Sequence, residues 1–130
     1  MQITRAKLDT APHTGRGPAD RFTGDVYIDP ITSPGDDWKI GAANVHFMPG
    51  ARTAWHTHPV GQTIFVVEGV GRCQRRGGPV EEIRPGDVVH FEAGEEHWHG
   101  AAPNRLMVHV AMQQADDDGN VVTWLEHVSD

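Results

Sequence analysis

The chain has 130 residues, enough for one domain of ordinary size and too few for two with adequate cores. Eleven Lys and Arg against eighteen Asp and Glu give a formal charge of -7, which argues against a basic surface for nucleic acid or anionic lipid. Cys73 is the single cysteine, so an internal disulfide, a thiolate zinc cluster and a CxxC redox pair are all excluded.

A content of 38% hydrophobic and 22% charged residues is that of a chain able to bury a core. No apolar stretch approaches the roughly 20 residues of a membrane span, and the first residues, Met1-Gln2-Ile3-Thr4-Arg5, lack the apolar centre of a signal peptide. The expectation is a cytoplasmic protein. Fifteen glycines and nine prolines are spread along the sequence and cut it into short apolar runs, a pattern of strands and turns and not of long amphipathic helices. In chain order, residues 1–20 read as an N-terminal arm, because 11–20 mix glycine, proline and polar groups without a period. Residues 21–130 read as one all-β barrel or sandwich. The predicted strands are 21–28, 39–48, 62–68, 71–76, 80–83, 87–91, 105–112 and 121–125. Gly77-Gly78-Pro79, Pro85-Gly86 and Asp118-Gly119-Asn120 supply turns between them.

Histidine is the abundant reactive group, with nine copies. In Trp55-His56-Thr57-His58-Pro59-Val60-Gly61-Gln62, side chains two apart on an extended chain share a face. His56 and His58 can therefore aim at one ion, and Gln62 can follow after a short bend, so that one extended run offers three donors. Downstream, His97 and His99 again share a face, with Trp98 between them pointing away. One HxH pair arises by chance, but two among 130 residues are hard to explain as core filling. In Met107-Val108-His109-Val110-Ala111-Met112-Gln113 the odd positions place His109 and Gln113 on a common face; His109 reads either as a core histidine bonded to a backbone carbonyl or as a functional base. His13, His46, His90 and His127 read as surface or packing residues, and Cys73, with no base beside it, as packing. Asp116-Asp117-Asp118-Gly119 lacks calcium-loop spacing and reads as a solvated turn.

These motifs resemble those of the cupin family. Gly50, His56, His58 and Gly69 match its first motif, G-x5-HxH-x3,4-E-x6-G, with Gln62 where the family usually has Glu. Gly86, Gly94 and His97 match the second, G-x5-PxG-x2-H-x3-N, with Glu92 in place of its Pro and Ala101 in place of its Asn. The resemblance implies a double-stranded β-helix, or jelly roll, holding one divalent metal on His56, His58, Gln62 and His97. A neutral amide at Gln62 leaves the full divalent charge on the ion, where a carboxylate would cancel part of it. Manganese comes first among the candidates; iron, nickel, cobalt and zinc suit the same donors.

Residues 49–59, 61–63, 85–89, 97–103 and 124–128 are similar to the small bacterial cupins that include manganese-dependent hydroxynitrile lyases. That resemblance implies cleavage or formation of cyanohydrins, a small-molecule substrate and a homo-oligomer, dimer or tetramer. A metal Lewis acid and a histidine base suit this chemistry: His109 takes the hydroxyl proton, and His99 hydrogen-bonds the hydroxyl or the departing cyanide. Ala43, Val45, Ile64 and Met107 are candidates for an apolar substrate wall, with Gln113 beside them. The competing readings are an iron or manganese cupin dioxygenase, distinguished by oxygen uptake, and a non-enzymatic small-molecule-binding cupin, distinguished by inert ligand binding.

Overall fold

Side-chain alternation at a period of two governs the longest strands. Across residues Gln62–Gly69, Gln62, Ile64 and Val66 are buried while Phe65 and Val67 are exposed. Across Met107–Gln114, the alternation puts Met107, His109, Ala111 and Gln113 on one face. A computed structural model of the protein describes residues 1–6 and 13–130. In chain order the strands are β1 (Gly15–Arg16), β2 (Phe22–Thr23), β3 (Val26–Thr32), β4 (Ile40–Phe47), β5 (Arg52–Thr53), β6 (His56–Thr57) and β7 (Gln62–Gly69). They continue with β8 (Gly71–Arg75), β9 (Glu81–Ile83), β10 (Val88–Phe91), β11 (His97–Ala101), β12 (Met107–Gln114) and β13 (Thr123–Trp124). No helix occurs among the described residues.

Two antiparallel sheets face each other. One has the order β1-β3-β4-β12-β7-β10; the other runs β13-β6-β11-β5-β2, with β8 joined to β11 and β9 to β8. Val26, Phe47, Ile64, Val66, Ala101 and Met107 are fully buried within the core, and each large apolar side chain removed from water contributes about 1.5–3 kcal/mol. Cys73 belongs to the same core, where burial pushes its thiol up to about 11. Trp98 faces away from the histidines: its indole N–H donates to Gln74 Oε1 at 2.8 Å, and Arg52 and Arg72 lie 5.6 and 5.7 Å from its ring.

The predicted elements need three corrections. The single strand expected at 21–28 is two, β2 and β3, separated at Gly24. There φ is +81°, and a Cβ would lie 2.9 Å from that of Ala51. The segments 52–53 and 56–57 are strands that alternation over two residues could not reveal. The sheet also begins inside the segment predicted as an arm. Gly15 pairs with Ile28 and Arg16 with Tyr27, Thr14 Oγ1 bonds to Asp29, and Arg16 meets Asp25 at 2.5 Å. Residues 7–12 of that predicted arm lie outside the described residues.

Gly69 and Gly77 separate two roles of glycine. Both have positive φ, +82° and +83°, but a Cβ at Gly69 would sit 1.8 Å from the Leu106 carbonyl oxygen, whereas nothing lies within 4 Å at Gly77. Gly77→Ala should cost about 1 kcal/mol from backbone conformation alone, and Gly69→Ala more than about 3 kcal/mol, because backbone must also move. Urea denaturation midpoints of the two variants compare them directly; equal losses would contradict this account.

Candidate metal centre and adjoining cavity

Backbone carbonyls fix the histidines. His56 opens β6 and its Nδ1–H donates to the Ala54 carbonyl two residues earlier, at 2.9 Å; His97 opens β11 and does the same to Glu95, at 2.8 Å. The two residues are direct cross-strand partners, with ring centroids 4.2 Å apart. His58 lies just past β6, and its Nδ1–H donates to the Val121 carbonyl at 2.7 Å. A carbonyl can only accept, so each of these Nδ1 atoms carries the proton and each Nε2 keeps a lone pair.

The donors do not come from one extended run, as the sequence suggested. Gly61, at φ +83°, turns the chain after His58, and Gln62 opens β7 in the opposite sheet. Gly61 N–H donates to the His58 carbonyl at 3.2 Å, and a Cβ at Gly61 would lie 2.7 Å from the Phe91 carbonyl oxygen. Gln62 then meets His97 from across the barrel, its Oε1 lying 3.0 Å from His97 Nε2 and 3.2 Å from His99 Nε2. His56, His97 and His99 bring one potential ligand atom each within 4.8 Å of the others; His58, expected among the ligands, is not part of this trio, and His99, expected outside the ligand set, is.

The chemistry of these atoms fits a cation. With Nδ1 of His97 committed as a donor, its Nε2 and Gln62 Oε1 are two acceptors facing each other with no hydrogen between them. His58 Nε2 is buried with no hydrogen-bond partner. A divalent ion between Gln62 Oε1 and His97 Nε2 resolves the first of these, because ligand atoms at right angles on bonds of about 2.0–2.2 Å stand about 3 Å apart. Burial also holds the imidazoles neutral, the state in which they ligate. Desolvation, helped by the neighbouring His97, lowers His56 to about 3; desolvation lowers His97 to about 4 and His58 below its usual value.

Beside the donors, His99 and His109 form a pair. His109 Nε2 is 2.9 Å from His99 Nδ1, and His109 Nδ1 is buried without a partner. Burial drives His99 well below the ordinary histidine range and His109 to about 4. Phe47 packs against both rings, at 5.9 and 5.2 Å, while Thr53 Oγ1 accepts the His99 backbone N–H at 3.2 Å.

A cavity of about 310 Å³ opens onto His56, His58, Gln62, His99 and His109. Ala43, Val45 and Gln113 line it, together with Ile28, Phe47, Ala111, Val121, Val122 and Trp124. Ile64 and Met107, expected in this wall, are instead fully buried core residues outside the lining. They share the inward parity of the lining positions but are enclosed within the core cluster. Sequence reasoning missed Thr53, Val121, Trp124 and Phe91. Trp124 covers His56 at 4.7 Å and Phe91 stacks on His97 at 3.7 Å, contacts made across the fold with no periodic signal in the chain. His46 pairs with Asp29 at 2.9 Å, and His90 bonds Thr63, both away from this cavity.

Comparison with known proteins agrees with this geometry. The family described as Cupin domain matches residues 43–110. An (R)-mandelonitrile lyase of Granulicella tundricola is 58% identical over 130 residues, covering 100% of this chain and 96% of that protein. The crystal structure of a cupin-like protein from Thermotoga maritima superposes with a TM-score of 0.83 at 35% identity, covering 94% of this chain and 92% of that one. A cupin-2 domain protein from Rhodospirillum rubrum shares the fold, with a TM-score of 0.70 at 15% identity over 96% of this chain and 83% of that one.

The buried histidines make stability depend on pH with a definite sign. Their folded-state values lie below the roughly 6.5 of an unfolded histidine, so unfolding takes up protons. For metal-free protein this contribution is fully present above about pH 6.5 and is lost as pH falls toward 4, at about 1.4 kcal/mol per pH unit for each proton taken up. Urea midpoints at pH 7.5 and 5.0 should fall accordingly; equal midpoints would show the imidazoles to be already solvated.

Proposed function

The chain belongs to the cupin family, and from that membership we propose that it is a divalent-metal-dependent hydroxynitrile lyase, splitting aromatic cyanohydrins into an aldehyde and hydrogen cyanide and catalysing the reverse addition. The observation that carries this reading is the 2.9 Å contact between His99 and His109 at the wall of a cavity that His56, His58 and Gln62 also line. The full-length relative named (R)-mandelonitrile lyase supports it. His56, His58, Gln62 and His97 are the proposed ligands, and manganese the proposed ion. When bound, the ion supplies Lewis acidity that lowers the pKa of a hydroxyl.

The rest of the chemistry belongs to the chain's own side chains. In the tautomer with His99 Nδ1–H donating to His109 Nε2, His99 Nε2 and Gln62 Oε1 are again two acceptors, 3.2 Å apart with no hydrogen between them, so the His99 lone pair is open to an incoming hydroxyl. His99 Nε2 accepts the cyanohydrin hydroxyl proton, the direct step expected of His109 from the sequence, while its own Nδ1 proton passes to His109 Nε2, which leaves the positive charge on His109. The oxygen's electron pair forms the carbonyl, and the C–C bond breaks with its electrons on cyanide. Burial makes His109 a poor holder of a proton, so the proton returns through His99 to cyanide, a far stronger base, and hydrogen cyanide leaves. Ala43, Val45, Ile28 and Ala111 give the aromatic ring an apolar wall. A homo-oligomer is proposed as well, supported by Phe65, Val67 and Val88, which are exposed on the outer face of the six-stranded sheet.

Manganese-loaded protein should release cyanide from (R)-mandelonitrile without consuming oxygen; oxygen uptake without cyanide release would replace this reading by a dioxygenase. His58→Ala should fold and lose its manganese, as elemental analysis would record. His109→Ala should keep a full equivalent of metal and turn over about 10²-fold more slowly. Wild-type rates in that variant at matched metal occupancy would remove His109 from the reaction.

A further inference from the structure

An amide ligand poses a problem that a carboxylate does not. Only one of its two ends, the oxygen, can bind a cation; the other carries two N–H donors. For Gln62 Oε1 to face His97 and His99, the Gln62 amino group must point elsewhere, and at a residue only 7% exposed it needs an acceptor. Gln113 Oε1 is that acceptor, at 3.1 Å from Gln62 Nε2. The two residues are direct cross-strand partners on β12 and β7, and on its other side Gln113 is paired with Gly41 on β4. Gln113 Nε2 lies over that glycine, where a Cβ would approach it to 3.2 Å, so the Gln113 oxygen is the end turned to Gln62. Phe91, the cross-strand partner of Gln62 on β10, stacks on His97. One row of the sheet, Gly41, Gln113, Gln62 and Phe91, thus runs into the histidine cluster.

We infer that Gln113 is a positioning residue: its amide oxygen decides which end of the Gln62 amide faces the imidazoles and thereby sets cation affinity. This rests on the reading of Gln62 as a ligand. It also explains why a glutamine at position 62 needs a partner, whereas the glutamate that the family usually places there, with two equivalent oxygens, does not.

The test measures Mn2+ affinity by chelator competition, with no cyanohydrin present, so that its outcome is independent of lyase activity. Gln113→Leu removes the acceptor and should weaken Mn2+ binding about 10–100-fold, the usual effect of losing an outer-shell partner. Gln113→Glu keeps an acceptor and should bind at least as tightly as wild type. In a Gln62→Glu background, Gln113→Leu should change affinity less than about twofold, because either end of the carboxylate is an oxygen. Far-UV circular dichroism checks folding, and Gln113→Met, of similar length and also without a strong acceptor, replaces Gln113→Leu if that variant does not fold. Wild-type affinity in Gln113→Leu, or an equal loss in both backgrounds, would overturn the inference. Unchanged affinity in Gln62→Ala would also overturn it, by removing Gln62 from the ligand set, while the cyanide-release assay would still stand as a separate test of the lyase reading.

Discussion

The site depends on hydrogen bonds from imidazole Nδ1–H groups to backbone carbonyls. Ala54, Glu95 and Val121 each supply one such carbonyl, to His56, His97 and His58. Each bond settles three properties at once: the tautomer, the rotation of the ring and the direction of the remaining lone pair. Without these bonds, burial would favour neutral rings but would not dictate which nitrogen faces inward. The loops before β6 and β11 therefore act on the site through their main chain, whatever side chains they carry.

The two sheets divide the work. The seven-stranded sheet carries His56, His97 and His99, and the six-stranded sheet carries Gln62, His109 and Gln113. Any reaction at the cluster thus takes place across a gap whose width is set by packing. Phe47 touches both members of the His99–His109 pair from the core side, Phe91 lies flat on His97, and Trp124 covers His56. These aromatic contacts join the hydrophobic core directly to the polar cluster, so a loss of packing would be felt as a loss of geometry. The bulge where β12 passes β7, between Val108 and His109, lies beside a histidine of the buried pair, at the kind of position where an irregular ladder re-aims a side chain.

Much of this was legible in the chain. Alternation around His97 and His99 and along 107–113 gave the inward faces correctly because a period of two needs only a few residues to declare itself. The spaced glycines marked corners for a simple reason: at Gly61 and Gly69 the backbone of another segment occupies the space a side chain would need. What could not be read were contacts made across the barrel. Gln62 lies four residues from His58 in sequence but opens a strand of the other sheet, and nothing local separates a continued strand from a turn there. Ile64 and Met107 had the inward parity of wall residues, yet parity says nothing of depth along the barrel, and both lie in its packed interior. Trp124 reaches His56 through pairing of β13 with β6, a connection between distant parts of the chain that only the fold reveals.

The contribution of the last residues sets an order of events. His58 is held by the Val121 carbonyl, His56 is covered by Trp124, Leu125 N–H donates to the Trp55 carbonyl at 2.8 Å, and Trp55 N–H donates to the Glu126 carbonyl at 3.0 Å. Synthesis runs from the N-terminus, so the histidines emerge from the ribosome well before the segment that orients them. A nascent chain carries these histidines in disorganised form well before their hydrogen-bond partners exist. The order of these imidazoles is therefore a property of a chain already made and folded through Glu126, never of the histidine segments alone.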